Sequence, residues 1–148
     1  MREILFKGKR INDGKWIYGY FYCHKGLKFY SIFPIDETPF YNGIPIIPKS
    51  LSEYEVEPNT VSQFTGLCDK NGTKIFDGDI LKVPERVAQM DGGILNRLVG
   101  FDKGAFMDAR YGGKHFNTYL WIETSHDCEV IGNVYDNPNL IVQAKTNN

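Results

Sequence analysis

The stretch Gln63-Phe-Thr-Gly-Leu-Cys-Asp-Lys-Asn-Gly-Thr-Lys-Ile-Phe-Asp-Gly-Asp-Ile-Leu81 constrains this chain more than any other. It sets two turn signals close together. Asn71-Gly72 accommodates positive φ at little steric cost, because glycine has no Cβ. Asp77-Gly78-Asp79 is the second turn, with Gly78 expected to be left-handed and the flanking carboxylates placed to accept from backbone amides. Ile75 and Phe76 lie between the turns, and Ile80, Leu81 and Val83 follow them. Apolar side chains therefore enter a core from both sides of a tightly folded segment. This pattern specifies architecture and shows no motif that carries a reaction.

Upstream, Ile4, Leu5 and Phe6 open an apolar run, and Asp13-Gly14 is a two-residue hairpin signal. The returning strand, Trp16-Ile-Tyr-Gly-Tyr-Phe-Tyr-Cys23, alternates. Trp16, Tyr18, Tyr20 and Tyr22 take one face, and Ile17, Gly19, Phe21 and Cys23 the other. After a turn at His24-Lys25-Gly26, residues 27–33 read as a third strand stopped by Pro34. Pro34, Pro39, Pro45 and Pro48 make 34–50 a loop with room for a short strand at 44–47, since each proline lacks an N–H and restricts its predecessor. Glu53-Tyr-Glu-Val-Glu57 reads as an edge strand whose glutamates discourage strand pairing.

Downstream, residues 60–65 form a strand leading into the central stretch, and 84–93 read as a polar loop or hairpin tip. A strand at 94–101 turns at 102–104 into residues 105–107, and 108–117 form a second polar tip. Strands follow at 118–122 and 128–131, then a single helical turn at 138–141 after Pro138. No window of eleven or more residues carries a helical period. The expected fold is mainly β: an N-terminal antiparallel hairpin sheet with a proline-rich loop (1–59), packed with a C-terminal SH3-like small barrel (60–142), and a frayed tail (143–148).

Hydrophobic content of 42% and charged content of 24% suit a globular chain and exclude a disordered one. Residues 1–60 carry eight Lys/Arg against seven Asp/Glu, and 61–148 carry nine against eleven, so the halves stand at +1 and −2. Neither is a broad electrostatic attractor for nucleic acid. No run approaches the roughly 18 apolar residues of a membrane span, and the start of the chain lacks the features of a signal peptide. Three widely spaced cysteines make no disulfide framework, which points to a reducing, intracellular compartment. Ten Phe and nine Tyr exceed what a small core can hold, so some are expected at a surface or interface.

Residues 60–81, from Thr60-Val-Ser-Gln-Phe-Thr through Asp77-Gly-Asp-Ile-Leu81, resemble the central signature of the YopX family of phage and prophage proteins. Glu129-Val-Ile-Gly-Asn-Val-Tyr-Asp-Asn-Pro138 is similar to the family's C-terminal signature. Arg2-Glu-Ile-Leu-Phe-Lys-Gly-Lys-Arg10 with Trp16-Ile-Tyr-Gly-Tyr20 resembles its N-terminal one. The resemblance implies a mainly β protein with an SH3-like barrel in its C-terminal half, of phage or prophage origin, in the cytoplasm of a bacterial host. It implies no activity and no catalytic residues.

The candidate chemical sites are weak on spacing. An EF-hand places Gly sixth and Glu twelfth; counted from Asp69, Gly72 is fourth and Ile80 twelfth. Asp69, Asp77 and Asp79 could gather around a hard cation, but Asp-Gly-Asp before a strand is ordinary turn chemistry. His126-Asp127-Cys128 with Cys23-His24 lacks the close cysteine pairs of a structural zinc site. Cys128 opens an apolar strand, where a buried inert thiol is expected rather than a nucleophile. No cofactor is expected. The structural turns are assigned to Asn71, Gly72, Asp77, Gly78 and Asp79, and the candidate binding face to Trp16, Tyr18, Tyr20, Tyr22, Lys9 and Arg10. The functional expectation is a non-catalytic protein-interaction or assembly module with an unknown protein partner, self-associating as a homo-oligomer. The alternative is weak single-stranded nucleic-acid binding, in which bases stack on the aromatic strand beside Lys7, Lys9, Arg10, Lys15, Lys25 and Lys28.

Overall fold

The computed structural model describes residues 3–34, 40–42, 44–45, 51–90, 93, 95–102, 104–110, 115–119 and 126–142. The chain divides into two compact units, Met1–Phe64 and Thr65–Asn148.

In the first unit, β1 (Phe6–Lys9) pairs antiparallel with β2 (Trp16–His24), and β2 with β3 (Phe29–Pro34). The β1–β2 connection is longer than the two residues expected. The Arg10 N–H donates to the Lys15 carbonyl and the Gly14 N–H to the Arg10 carbonyl, both at 2.9 Å, which closes a loop over residues 11–14. The Asp13 carboxylate explains the added length: it accepts from the Lys15 N–H at 3.1 Å and from the Arg10 guanidinium. Alternation along β2 holds as read. Ile17 is buried and packs with Ile32 and Val56, flanked by Phe6, Phe21, Tyr30, Tyr54 and Val61, while the tyrosines point outward. Gly19 is the residue at which β2 changes partners, standing opposite Phe6 of β1 and Pro34 of β3. A Cβ there would lie 1.7 Å from the Phe33 carbonyl oxygen, so only glycine allows the approach.

A short ribbon of β4 (Phe40–Tyr41) and β5 (Ile44–Pro45) follows. Residues 53–57 are not the edge strand expected. A 3-10 turn occupies Leu51–Tyr54, and Glu55 and Val56 make single bridges to Ser31 and Arg10. Val56 decides this, because it is fully buried as an apolar anchor, and Pro58 then opens a further 3-10 turn, Pro58–Thr60. β6 (Ser62–Cys68) starts in this unit, pairing with β1 through Gln63↔Phe6 and Ser62↔Lys7.

In the second unit, the end of β6 neighbours β7 (Lys74–Phe76). Next come β8 (Asp79–Lys82), a helix at Glu85–Met90, β9 (Asn96–Asp102), β10 (Ala105–Arg110), β11 (His115–Tyr119), β12 (Glu129–Asn133) and a helical turn at Asn139–Val142. Ile75, Leu81, Val83, Ala88, Val99 and Cys128 form the buried core. The helix replaces the loop expected at 84–93. Pro84 accepts from the Val87 and Ala88 amides, and the Gly93 N–H returns to the Ala88 carbonyl at 2.7 Å. Six residues are too few to establish a 3.6 period, which hides this helix in the sequence. Of the tip expected at 108–117, residues 108–110 and 115–117 belong to β10 and β11. Residues 120–122 of the strand expected at 118–122, and the tail 143–148, lie outside the described residues.

The SH3-like barrel is corrected. The antiparallel sheet runs β11-β10-β9-β8-β12 and is open, with β11 and β12 as its edges, and no sheet closes into a barrel among the described residues. The physical reason lies at β12. Its outward backbone groups bond to the hairpin at 69–73 and to Asn137 instead of to a further strand.

Gly78 adopts φ +79°, and a Cβ there would lie 3.1 Å from the Tyr135 ring and 3.4 Å from Val134. Gly78→Val should therefore cost about 1–3 kcal/mol from strained backbone alone, read as a lowered thermal midpoint. A midpoint within about two degrees of wild type contradicts this account.

Candidate functional site

The Asp69 carboxylate organises the central turn. Its Oδ1 accepts from the Asn71 N–H at 2.8 Å and the Thr73 N–H at 2.9 Å, and its Oδ2 accepts from the Val130 N–H at 3.0 Å. Gly72, at φ +82°, donates its N–H to the Asp69 carbonyl at 3.0 Å. The Lys70 N–H donates to the Cys128 carbonyl at 3.0 Å, and the Lys70 ammonium pairs with Glu129 at 2.6 Å. Two segments far apart in the chain are thereby joined. Burial opposes ionisation of Asp69, yet the amides of Val130, Thr73 and Asn71 outweigh it and hold its carboxyl below the ordinary aspartate range.

The second turn makes the same kind of connection. The Gly78 N–H donates to the Val99 carbonyl at 2.9 Å, and the Val134 N–H to the Gly78 carbonyl at 2.8 Å. Asp79 is buried, and its Oδ2 accepts from the Phe76 N–H at 2.8 Å. Asp77 stands at the turn beside Gly78. Asn71, Gly72, Gly78 and Asp79 thus sit in turns joined to the rest of the unit through backbone amides and carbonyls. Among the described residues, no group of three His, Cys, Asp or Glu side chains converges as a metal site. Cys128 is fully buried, and desolvation, followed by the Asp69 charge, pushes its thiol up to about 11. The His24 Nδ1 accepts from the Leu27 N–H at 3.2 Å, which caps the 3-10 turn Lys25–Leu27.

The aromatic face lies on β2. Tyr18, Tyr20 and Tyr22 are 52%, 59% and 45% exposed, and Trp16 is half-buried. The Lys7 and Lys9 ammoniums lie 5.0 Å and 5.5 Å from the centre of the Trp16 ring, a double cation–π contact set by the register Lys9↔Trp16 and Lys7↔Tyr18. Lys7 is itself buried. Arg10 is committed to Asp13, with guanidinium contacts of 3.1 Å and 2.5 Å. The face is therefore aromatic at its centre, with the nearby positive charges already engaged.

Two features escaped the sequence reading. The bond from Asp69 to Val130 spans 61 positions and left no local signal. Arg97 is buried on β9 beside core residues; a lone arginine in the apolar run 94–101 was the available hint.

The family model described as YopX protein matches residues 37–142. This chain belongs to the YopX family. Among solved structures, the YopX chain is similar to protein EF1440 from Enterococcus faecalis at 18% identity, with 95% of this chain and 99% of that one covered and a TM-score of 0.53. That likeness is one of fold. No curated protein matches the chain.

Because the folded state depresses the Asp69 pKa, its stabilising contribution is present above the ordinary carboxylate range and is lost as pH falls through the folded value. Asp69→Ala should lose about 1–3 kcal/mol at neutral pH and show a shallower loss of stability than wild type below about pH 4. Parallel acid-titration slopes for the two proteins contradict the assignment. Cys128 should resist alkylation in the native protein at pH values where thiols usually react, and become reactive on unfolding, as followed by intact mass.

Proposed function

We propose that this YopX-family chain is a non-catalytic interaction module of a phage or prophage. In this reading it acts in the bacterial cytoplasm and docks protein through the tyrosine face of β2, beginning with a second copy of itself. The single observation that carries the reading is the row of exposed Tyr18, Tyr20 and Tyr22 at successive outward positions of one strand. Isolated exposed aromatics are ordinary, but a contiguous row is the composition of protein interfaces, where tyrosine gives large contact area at low entropic cost.

Docking through a face rather than an edge fits the strand edges. β3 ends in Pro34, and its Tyr30 carbonyl is taken by the Val56 N–H. β12 has Val130 held by Asp69. The register between β10 and β11 shifts, leaving Asn117 without a partner on β10. Bulges and covering segments of this kind discourage strand addition.

The second reading, stacking of single-stranded nucleic acid, draws on Lys7 and Lys9 beside Trp16. It is less favoured because both ammoniums already sit on the indole and Arg10 is paired with Asp13.

Light scattering at tens of micromolar tests the first reading. Wild type should exceed the monomer mass, and the triple variant Tyr18→Ser, Tyr20→Ser, Tyr22→Ser should be monomeric with its fold intact by circular dichroism. A monomeric wild type removes the self-docking claim. A labelled oligonucleotide that binds wild type at low salt, weakens with added salt and no longer binds the triple variant would favour the second reading.

A further inference from the structure

The chain contains two Asn-Gly dipeptides, Asn42-Gly43 and Asn71-Gly72. Asn-Gly is the dipeptide most open to intramolecular deamidation, because glycine leaves its own backbone nitrogen unshielded. That nitrogen attacks the asparagine side-chain carbon, a C–N bond forms, ammonia leaves, and water opens the succinimide to aspartate or isoaspartate.

Asn71 and Gly72 are both solvent-exposed, and nothing lies within 4 Å of a Cβ built on Gly72. Water and space are therefore available, and the restraint is the hydrogen bonding. The attacking nitrogen of Gly72 has its proton donated to the Asp69 carbonyl at 3.0 Å. Asn71 is pinned through its own N–H to Asp69 Oδ1 at 2.8 Å, and Thr73 is pinned to the same oxygen at 2.9 Å. The turn thus holds a labile pair with its nucleophile occupied and its backbone fixed from both sides. Asn42 sits at φ +50° in the short β4–β5 turn and serves as the natural comparison.

We propose that Asn71 is a latent deamidation site whose reaction is gated by the Asp69 hairpin. While the hairpin is closed, the Gly72 nitrogen stays engaged and the site is silent. When the hairpin opens, the nitrogen is released and the ring closes. Isoaspartate at 71 routes the main chain through an extra carbon, so the amides of residues 71 and 73 no longer both reach Asp69. The same carboxylate holds Val130 at 3.0 Å, so the modification also loosens the cover on β12. The product carries one more negative charge.

Peptide mapping by mass spectrometry of protein held at mildly alkaline pH tests this, each conversion adding about 1 Da. In native wild type, Asn71 should convert about tenfold or more slowly than in the urea-unfolded chain, as for any reaction requiring local opening. Asp69→Ala should raise the native Asn71 rate toward the unfolded one and leave the Asn42 rate unchanged. Should Asp69→Ala fail to fold, wild type in urea below its unfolding midpoint supplies the second reading, with Asn71 accelerating ahead of global unfolding. Equal Asn71 rates in native and unfolded wild type overturn the proposal. So does an Asp69→Ala variant that folds and leaves the Asn71 rate unchanged.

Discussion

One carboxylate does for the C-terminal unit what a neighbouring strand would otherwise do. Asp69 accepts three backbone amides, two within its own turn and one on β12. A buried charge is costly unless it is satisfied, and amides supply that satisfaction without a cation. The hairpin at 69–73 is thereby fixed, and the edge of β12 is covered. The second turn repeats the arrangement. Gly78 exchanges backbone bonds with Val99 and Val134, and Asp79 accepts from Phe76. The segments 69–79 and 128–134 are consequently two halves of one hydrogen-bonded assembly.

That arrangement bears on how the molecule presents itself. With β12 covered, β3 ended by proline and the β10–β11 pairing broken by a bulge, these strands offer poor templates for added strands. The outward side chains of β2 remain. Their exposure follows from a steric constraint within the strand: Gly19 lets β2 pass from one partner to the other, with the Phe33 carbonyl occupying the space a side chain would need. Ile17 and Phe21 on either side of Gly19 face the core, so Tyr18, Tyr20 and Tyr22 face out.

The mainly β character, the two turns, the left-handed Gly78 and the alternation of β2 were legible in the sequence, because each is a local property. Glycine's freedom at positive φ and the two-residue period of a strand act over a few bonds and need no knowledge of the rest of the chain. The closing helical turn after Pro138 was legible for the same reason. The helix at Glu85–Met90 was not, since a single short helix is held by Pro84, Gly93 and the burial of Ala88 rather than by its own periodicity.

What the tertiary structure alone decided were the long-range pairings. Glu53 to Glu57 alternate as a strand does, yet burial of Val56 reduces them to single bridges. Spacing of short strands suggested a closed barrel, but closure depends on what occupies the last edge, and there a carboxylate took the place of a strand. Sequence fixes where a chain can turn and which face of a strand is apolar, because those are set by φ and by side-chain chemistry. It leaves open which distant backbone group will meet a given carboxylate, because that is settled only when segments far apart in the chain fold against one another.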